Sequence, residues 1–410
     1  MDSSSTVVVL PYGRQQIEED DIAAVTQVLR SDYLTTGPMV ARFEQALAQV
    51  TTARHAVSCS SGTAALHLGA MVLNLGPGDG VVVPAITFLA TANAVRYVGA
   101  EVIFADVDSA TGLMGAEQLL AALQRADAMG VTAKAVIPVH LNGQCVAMEE
   151  IAAVAQQRGL AVLEDGCHAL GARYGAQQQH HPVGCCHHSD LVAFSFHPVK
   201  TVAMGEGGAL TTNRDDLYRR LLRLRNHGMT QQPDELQQPE LALDSTAQPN
   251  PWYYEMAEPG YNYRASDIHC ALGLSQLGKL TRFVARRQQL VDRYDALLKP
   301  LAPTVRPLTR VANGRPAWHL YVVQIDFTEL MERRGLDRAA LMRQLRVHGI
   351  GTQVHYLPVA WQPYYRQRYG MLPLTGAGHY YAQVLSLPLF PGLSDDDVDR
   401  VVATLQQLVS

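Results

Sequence analysis

The chain has 410 residues, 48% of them hydrophobic and 17% charged, with a formal net charge of -5. A chain of this length buries a large core and predicts two domains packed as one body. Its mild negative charge excludes a general attraction to nucleic acid or anionic membrane, so any bound anion must be held by local geometry.

The start, Met1-Asp2-Ser3-Ser4-Ser5, lacks the basic and apolar parts of a signal peptide. No apolar run nears the ~20 residues that span a bilayer. The six cysteines are scattered, which suits free, buried thiols in a reducing compartment. The expected location is the cytoplasm.

Residues 1–35 predict an extended piece and then a helix. Glu18-Glu19-Asp20-Asp21 place acids in its first turn, and Ile22, Val25, Val28 and Leu29 recur at helical spacing. Residues 36–265 predict the large domain. From Ala56 to Thr212, short apolar runs alternate with amphipathic helices. The runs include Gly80-Val81-Val82-Val83, Val102-Ile103-Phe104-Ala105, Ala135-Val136-Ile137-Pro138-Val139 and Ala161-Val162-Leu163. Near-continuous apolar strands between helices predict an α/β architecture, a mostly parallel sheet covered on both faces.

Gln231 to Pro251, rich in Gln, Pro and Asp, predicts a mobile loop. Ser266 to Leu298 predicts one long helical stretch joining the domains, within an interdomain segment 266–302. Residues 303–410 mix the run Leu320 to Ile325 with helical patterns at Arg338 to His348 and Asp396 to Leu408, which predicts a smaller C-terminal α+β domain.

Three items carry chemistry. Lys200 follows the run Leu191-Val192-Ala193-Phe194 and Ser195, and precedes Gly205-Glu206-Gly207-Gly208. A lysine between strands in a glycine-rich turn suits an amine held in a cleft to form a Schiff base. Asp165 ends an apolar run where open α/β sheets bind ligands, and a carboxylate there can keep a pyridine nitrogen protonated. Three residues on, His168 is placed to contact the same ring. Ser61-Gly62-Thr63 opens a helical run, so backbone N–H groups would point at an anion. Singly, each has a plainer reading: a surface lysine, a capping acid with a core histidine, and an ordinary N-cap. Together they describe a site for pyridoxal 5'-phosphate (PLP). No G-x-x-x-x-G-K-[ST] string is present, and the glycine cluster precedes a strand, so neither a P-loop nor a dinucleotide fingerprint is read.

His180-His181 and Cys185-Cys186-His187-His188 resemble a metal cluster by composition only, since adjacent ligands rarely converge on one ion. No metal is expected. Trp361, Tyr364, Tyr365 and Tyr369 predict packing with polar tips, or alternatively the border of a cleft.

Asp165-x-x-His168, Ser195-x-x-x-x-Lys200 and Gly260-Tyr261-Asn262-Tyr263-Arg264 together resemble the DegT/StrS family of sugar-nucleotide aminotransferases, fold-type I PLP enzymes, from about Tyr12 to near the C-terminus. Pro11-Tyr12-Gly13-Arg14-Gln15, Trp252-Tyr253-Tyr254-Glu255-Met256 and Gln353-Val354-His355-Tyr356 are similar to the branch that aminates a UDP-linked 4-keto-6-deoxy-N-acetylhexosamine for pseudaminic acid. The resemblance implies a seven-stranded, mostly parallel sheet with a smaller C-terminal domain. It makes Lys200 the Schiff-base lysine and Asp165 the pyridinium partner, with His168 beside them as a third catalytic group. Gly62, Thr63 and Ser195 would hold the cofactor phosphate, and Phe88 would stack on the ring. Asn262 would reach the phosphate from the neighbouring subunit of a homodimer. Tyr12, Asp32, Tyr33, Leu34, Thr35, Gln353, Val354, His355 and Tyr356 would line the sugar-nucleotide site.

L-glutamate is the implied amino donor, with Arg264 and Arg225 as candidates for its carboxylate or for the diphosphate. The sequence departs from the family pattern at Gly166-Cys167 and Ala203-Met204, where Cys167 and Met204 would border the cofactor. The competing readings are the same chemistry on a dTDP-linked 4-keto-6-deoxyhexose and a ligand-binding protein of the same fold without turnover. The related dehydratases replace the lysine by histidine, and Lys200 argues against them.

Overall fold

The computed structural model describes residues 9–175, 180–312 and 314–410. The start Met1 to Ser5 lies outside the described residues. Seven strands form the central sheet: β1 (His55–Cys59), β2 (Asp79–Pro84), β3 (Glu101–Ala105), β4 (Thr132–Val136), β5 (Ala161–Asp165), β6 (Leu191–Ser195) and β7 (Gly208–Thr212), in the order β1-β7-β6-β5-β4-β2-β3. All neighbours are parallel except β7, which runs antiparallel to both β1 and β6. Val81, Val82, Val83, Leu163, Leu191 and Val192 are buried, as expected of strands covered by helices on both faces. The α/β architecture and the mostly parallel sheet expected from the sequence are therefore present. The run Ala135 to Val139 is strand only to Val136, and its last residues continue along β5, where His140 N–H donates to the Asp165 carbonyl at 3.1 Å.

Four helices lead toward the carboxyl edge of this sheet or cover it: α1 (Glu19–Leu29), α2 (Pro38–Thr51), α3 (Gly62–Val72) and α4 (Leu89–Tyr97). α3 starts because the Ser61 hydroxyl accepts the Ala64 N–H at 3.1 Å, satisfying one of the free donors of the first turn. The helical periodicity of α1 misleads about its face. Ile22 and Leu29 are 50% and 58% exposed, while Asp21 is fully buried. The carboxylate of Asp21 turns inward because Ser275 Oγ, Gln276 Nε2 and Lys279 Nζ meet it at 2.6, 2.7 and 2.7 Å.

The same cluster corrects the long helix expected over Ser266 to Leu298. The stretch is two helices, Asp267–Leu277 and Leu280–Leu298, broken at Gly278 and Lys279. Lys279 leaves the helical register to place its ammonium among Asp20, Asp21 and Glu18. Beyond the break, Leu290, Val291, Tyr294 and Leu298 join a second apolar core with Val323, Ile325, Leu345, Val401 and Leu405. That core holds a three-stranded antiparallel sheet (Val305–Pro307, Tyr321–Ile325, Val384–Leu387) and the helices Arg338–Val347 and Asp395–Val409.

Where composition predicts a mobile loop at Gln231 to Pro251, the chain forms short turns at Pro233–Glu235 and Pro239–Ala242. The Glu255 carboxylate pins them, accepting the N–H groups of Gln237 and Gln238 at 2.7 and 2.9 Å. All six cysteines are free, and all but Cys167 are buried.

Candidate active site

At the carboxyl ends of β5 and β6, beside the first turn of α3, lies a cavity of about 610 Å³. Ser61, Gly62 and Thr63 line its floor, where the N–H groups of the first helical turn have no partner within the helix. A Cβ on Gly62 would stand 2.7 Å from the Ser195 Cβ, so only glycine lets the helix start approach the end of β6 this closely. The result is a narrow cup of amides and hydroxyls.

Asp165 forms one wall and is nearly buried. The Thr91 hydroxyl donates to its Oδ2 at 2.8 Å, and the Cys167 N–H donates to its Oδ1 at 3.1 Å. Thr91 is itself 2.8 Å from the Thr87 hydroxyl. Thr91 lies in the first turn of α4 and Thr87 just before it, and Thr91 is 74 residues away from Asp165 in the chain. Nothing in the sequence around Thr91 marks it, and only the fold reveals its part.

Lys200 lines the cavity from the turn after β6. Burial pushes its pKa below the ordinary lysine range, and the nearby Cys167 and Asp165 oppose that shift only in part. The lysine is thereby made a better neutral amine than a surface lysine. Burial, with Lys200 and His355 close by, holds His168 well below the usual histidine range. Burial likewise pushes His355 down to about 3. Cys167 also lines the cavity, and burial and Asp165 push its thiol well above the usual range, which leaves it protonated.

On the side facing the smaller core, Tyr12, Gln353, Val354, His355 and Tyr356 complete the wall. The Tyr356 ring lies 6.1 Å from that of Phe88, which caps the opening and is more than half exposed. The Tyr356 hydroxyl is 3.3 Å from His168 Nε2. Residues widely separated in sequence, from Tyr12 to Tyr356, thus meet at one cavity.

Other expected residues do not meet there. Asp32, Tyr33, Leu34 and Thr35 are exposed and outside the cavity, and the first two line a separate hollow of about 490 Å³. Asn262 is exposed and bridges Asn226. Arg225 is committed to Glu44 and to the Ser58 carbonyl, and Arg264 to Asn226, so neither arginine enters this chain's cavity. Met204 packs in the core against Gly273, not on the cavity as expected. Glu206, from the glycine-rich turn, does line it, and so do His197 and Gln362. The sequence quoted Glu206 without giving it a role.

The histidine-rich segment folds as a strand pair, Arg173–Tyr174 with His181–Pro182, on which His181 and His187 stack at 3.9 Å. Among the described residues no three His, Cys, Asp or Glu side chains are grouped to hold a metal ion. Tyr365 and Tyr369 pack internally with their hydroxyls on Asn93 and Glu101, each at 2.8 Å, which bears out their reading as packing with polar tips.

The residues fit PLP. The amide cup suits a phosphate, and Asp165 presents a buried carboxylate that accepts hydrogen bonds from two neutral donors, the Thr91 hydroxyl and the Cys167 N–H. A lysine of lowered pKa stands between them on the same cavity. Fold and site together define a PLP-dependent transferase of fold type I. The chain belongs to the DegT/DnrJ/EryC1/StrS aminotransferase family, whose model matches residues 15–406. It is a sugar aminotransferase that uses PLP.

It is 38% identical over 403 residues to the spore coat polysaccharide biosynthesis protein SpsC of Bacillus subtilis, covering 98% of this chain and 97% of that one. The PLP form of the sugar aminotransferase Spr1654 from Streptococcus pneumoniae superposes with a TM-score of 0.83 at 28% identity, over 98% of both chains. PseC of Helicobacter pylori, an aminotransferase in the biosynthesis of pseudaminic acid, gives a TM-score of 0.83 at 26% identity, over 98% of this chain and 99% of that one. Among the described residues no helix is long and apolar enough to cross a membrane.

Proposed function

We propose that the enzyme moves the amino group of L-glutamate to C4 of a UDP-linked 4-keto-6-deoxy-N-acetylhexosamine, of the UDP-2-acetamido-2,6-dideoxy-β-L-arabino-hex-4-ulose type, in the route to pseudaminic acid. The observation that carries this reading is the meeting of Tyr12 and Gln353 to Tyr356 above Lys200, because these strings resemble that branch of the family. The fold likeness to PseC supports it.

When bound, the cofactor carries the amino group between the two substrates and its ring takes up the electron pair left at the reacting carbon. Lys200 holds the cofactor and, once released as a neutral amine, moves the proton from the donor α-carbon. Asp165, oriented by Thr91 and the Cys167 N–H, would pair with the ring nitrogen and favour its protonated form. Gly62, Thr63 and Ser195 would hold the phosphate in the amide cup, and Phe88 and His168 would contact the ring.

The working form is a homodimer. Among the described residues Lys200 is the only lysine or arginine lining the cavity, whereas the proposed substrates bring two carboxylates and a diphosphate. Asn262 and the segment Asp32 to Thr35 are exposed away from their own cavity, as suits residues that serve a second copy. The second reading keeps the chemistry and changes the acceptor to a dTDP-linked 4-keto-6-deoxyhexose.

Incubation with isotopically labelled glutamate nitrogen and each keto sugar, followed by mass spectrometry, tests the proposal. Label in the UDP-linked product is expected. Label only in a dTDP-linked product would replace the acceptor and leave the aminotransferase standing.

A further inference from the structure

The hydrogen-bond directions around His168 fix what Tyr356 can do. The Asn142 backbone N–H points at His168 Nδ1 from 3.4 Å. A backbone N–H can only donate, so that nitrogen is an acceptor and carries no hydrogen. The ring also packs against that of His319, with centroids 4.4 Å apart. His168 is then the neutral form with its hydrogen on Nε2, the nitrogen that faces the Tyr356 hydroxyl at 3.3 Å. The Tyr356 oxygen accepts that hydrogen, and among the described residues its own O–H has no acceptor.

From this directed chain, Asn142 to His168 to Tyr356, we infer that Tyr356 presents its O–H into the cavity as a hydrogen-bond donor to a neutral oxygen of the sugar substrate, the ketone oxygen at the reacting carbon. A neutral acceptor suits this O–H because its neighbours on the wall, Tyr12, Gln353 and Val354, carry no charge, and Lys200, the cation on the same cavity, is engaged by the cofactor in the proposed function. The ring itself lies perpendicular to that of His355 at 4.8 Å and tilted to that of Phe88 at 6.1 Å. This donor polarises the carbonyl and favours attack by an amine, a contribution that strengthens as the oxygen gains charge. The inference rests on the proposed sugar half-reaction.

Two measurements test it. Nitrogen NMR of histidine-labelled, cofactor-free protein is expected to show His168 neutral with hydrogen on Nε2. A cationic ring, or hydrogen on Nδ1, would overturn the inference. Stopped-flow kinetics of Tyr356→Phe, which keeps the ring, should slow the sugar half-reaction roughly tenfold or more, as expected of one lost buried hydrogen bond, and by more than it slows the glutamate half-reaction. Equal sugar rates in wild type and variant would overturn the role of Tyr356 alone. Failure of the wild type itself to react with glutamate would instead overturn the aminotransferase reading beneath it.

Discussion

The Thr91 hydroxyl donates to Asp165 Oδ2 at 2.8 Å, while the backbone N–H two residues past Asp165 holds its Oδ1. A buried carboxylate is thereby fixed in one rotamer with its charge facing the cavity, a prerequisite for pairing with a ring nitrogen. Thr91→Val keeps the shape and removes the donor. It is expected to weaken PLP binding by roughly tenfold, the size of one hydrogen bond to a charged group. Thr91→Ser should restore it. Fluorescence titration of the cofactor-free protein reads both, and equal affinity in wild type and the valine variant would show that Asp165 needs no such orientation.

Gly62→Ala places a methyl group 2.7 Å from the Ser195 Cβ. Either the first turn of α3 or the end of β6 must shift, and the phosphate cup widens. The expected cost is about 1–3 kcal/mol of stability, as for other overpacked sites, with cofactor affinity lost at the same time. Urea unfolding and a PLP titration of the same variant check the two effects. Wild-type values in both would mean that the close approach is not required.

Lys279 is nearly buried at the helix break, and its partner Asp21, 2.7 Å away, is wholly buried. Lys279→Met leaves that carboxylate with Ser275 and Gln276 but without a counter-charge. The expected loss is about 2–3 kcal/mol, at the lower end of values for broken buried pairs because Asp20 and Glu18 are open to water. A double variant, Lys279→Met with Asp21→Asn, should recover part of the loss, read as the shift in urea midpoint.

Acid sensitivity follows from the histidines beneath the site. Burial holds His168 and His319 well below the usual range and His355 down to about 3. In the unfolded chain each takes up a proton near pH ~6.5. Below that pH the unfolded state binds more protons than the folded one, so stability falls as the pH drops from about 6.5 toward 3. Urea midpoints of the cofactor-free protein should fall over that window, and His319→Phe should flatten the slope. An unchanged slope would place the acid sensitivity elsewhere.

The sheet was legible because each of its strands is an unbroken apolar run between helices, and the catalytic lysine and acid sit where such strands end. Lys200, Asp165, His168, Gly62, Thr63 and Ser195 meet on one cavity as their motifs suggest. What was not legible depends on long-range contacts. Thr91 has meaning only beside Asp165. The break at Lys279 exists because Asp20 and Asp21 sit some 260 residues away along the chain. The face that α1 buries is not legible in the sequence, because a buried acid with three polar partners outranks the position of Ile22 and Leu29. Arg225 and Arg264 show the reverse case, candidate cations that the fold commits to internal partners.

The central claim is that Lys200 carries PLP through two half-reactions of an amino transfer. Its most direct measurement is the absorption spectrum of the PLP-loaded protein, followed through addition of L-glutamate and then of the UDP-linked 4-keto-6-deoxy-N-acetylhexosamine. The near-visible band of lysine-bound cofactor should disappear with glutamate and return with the sugar, and Lys200→Ala should show neither the band nor the cycle. A folded wild-type protein that shows no such band, or a band that glutamate leaves unchanged, would contradict the account.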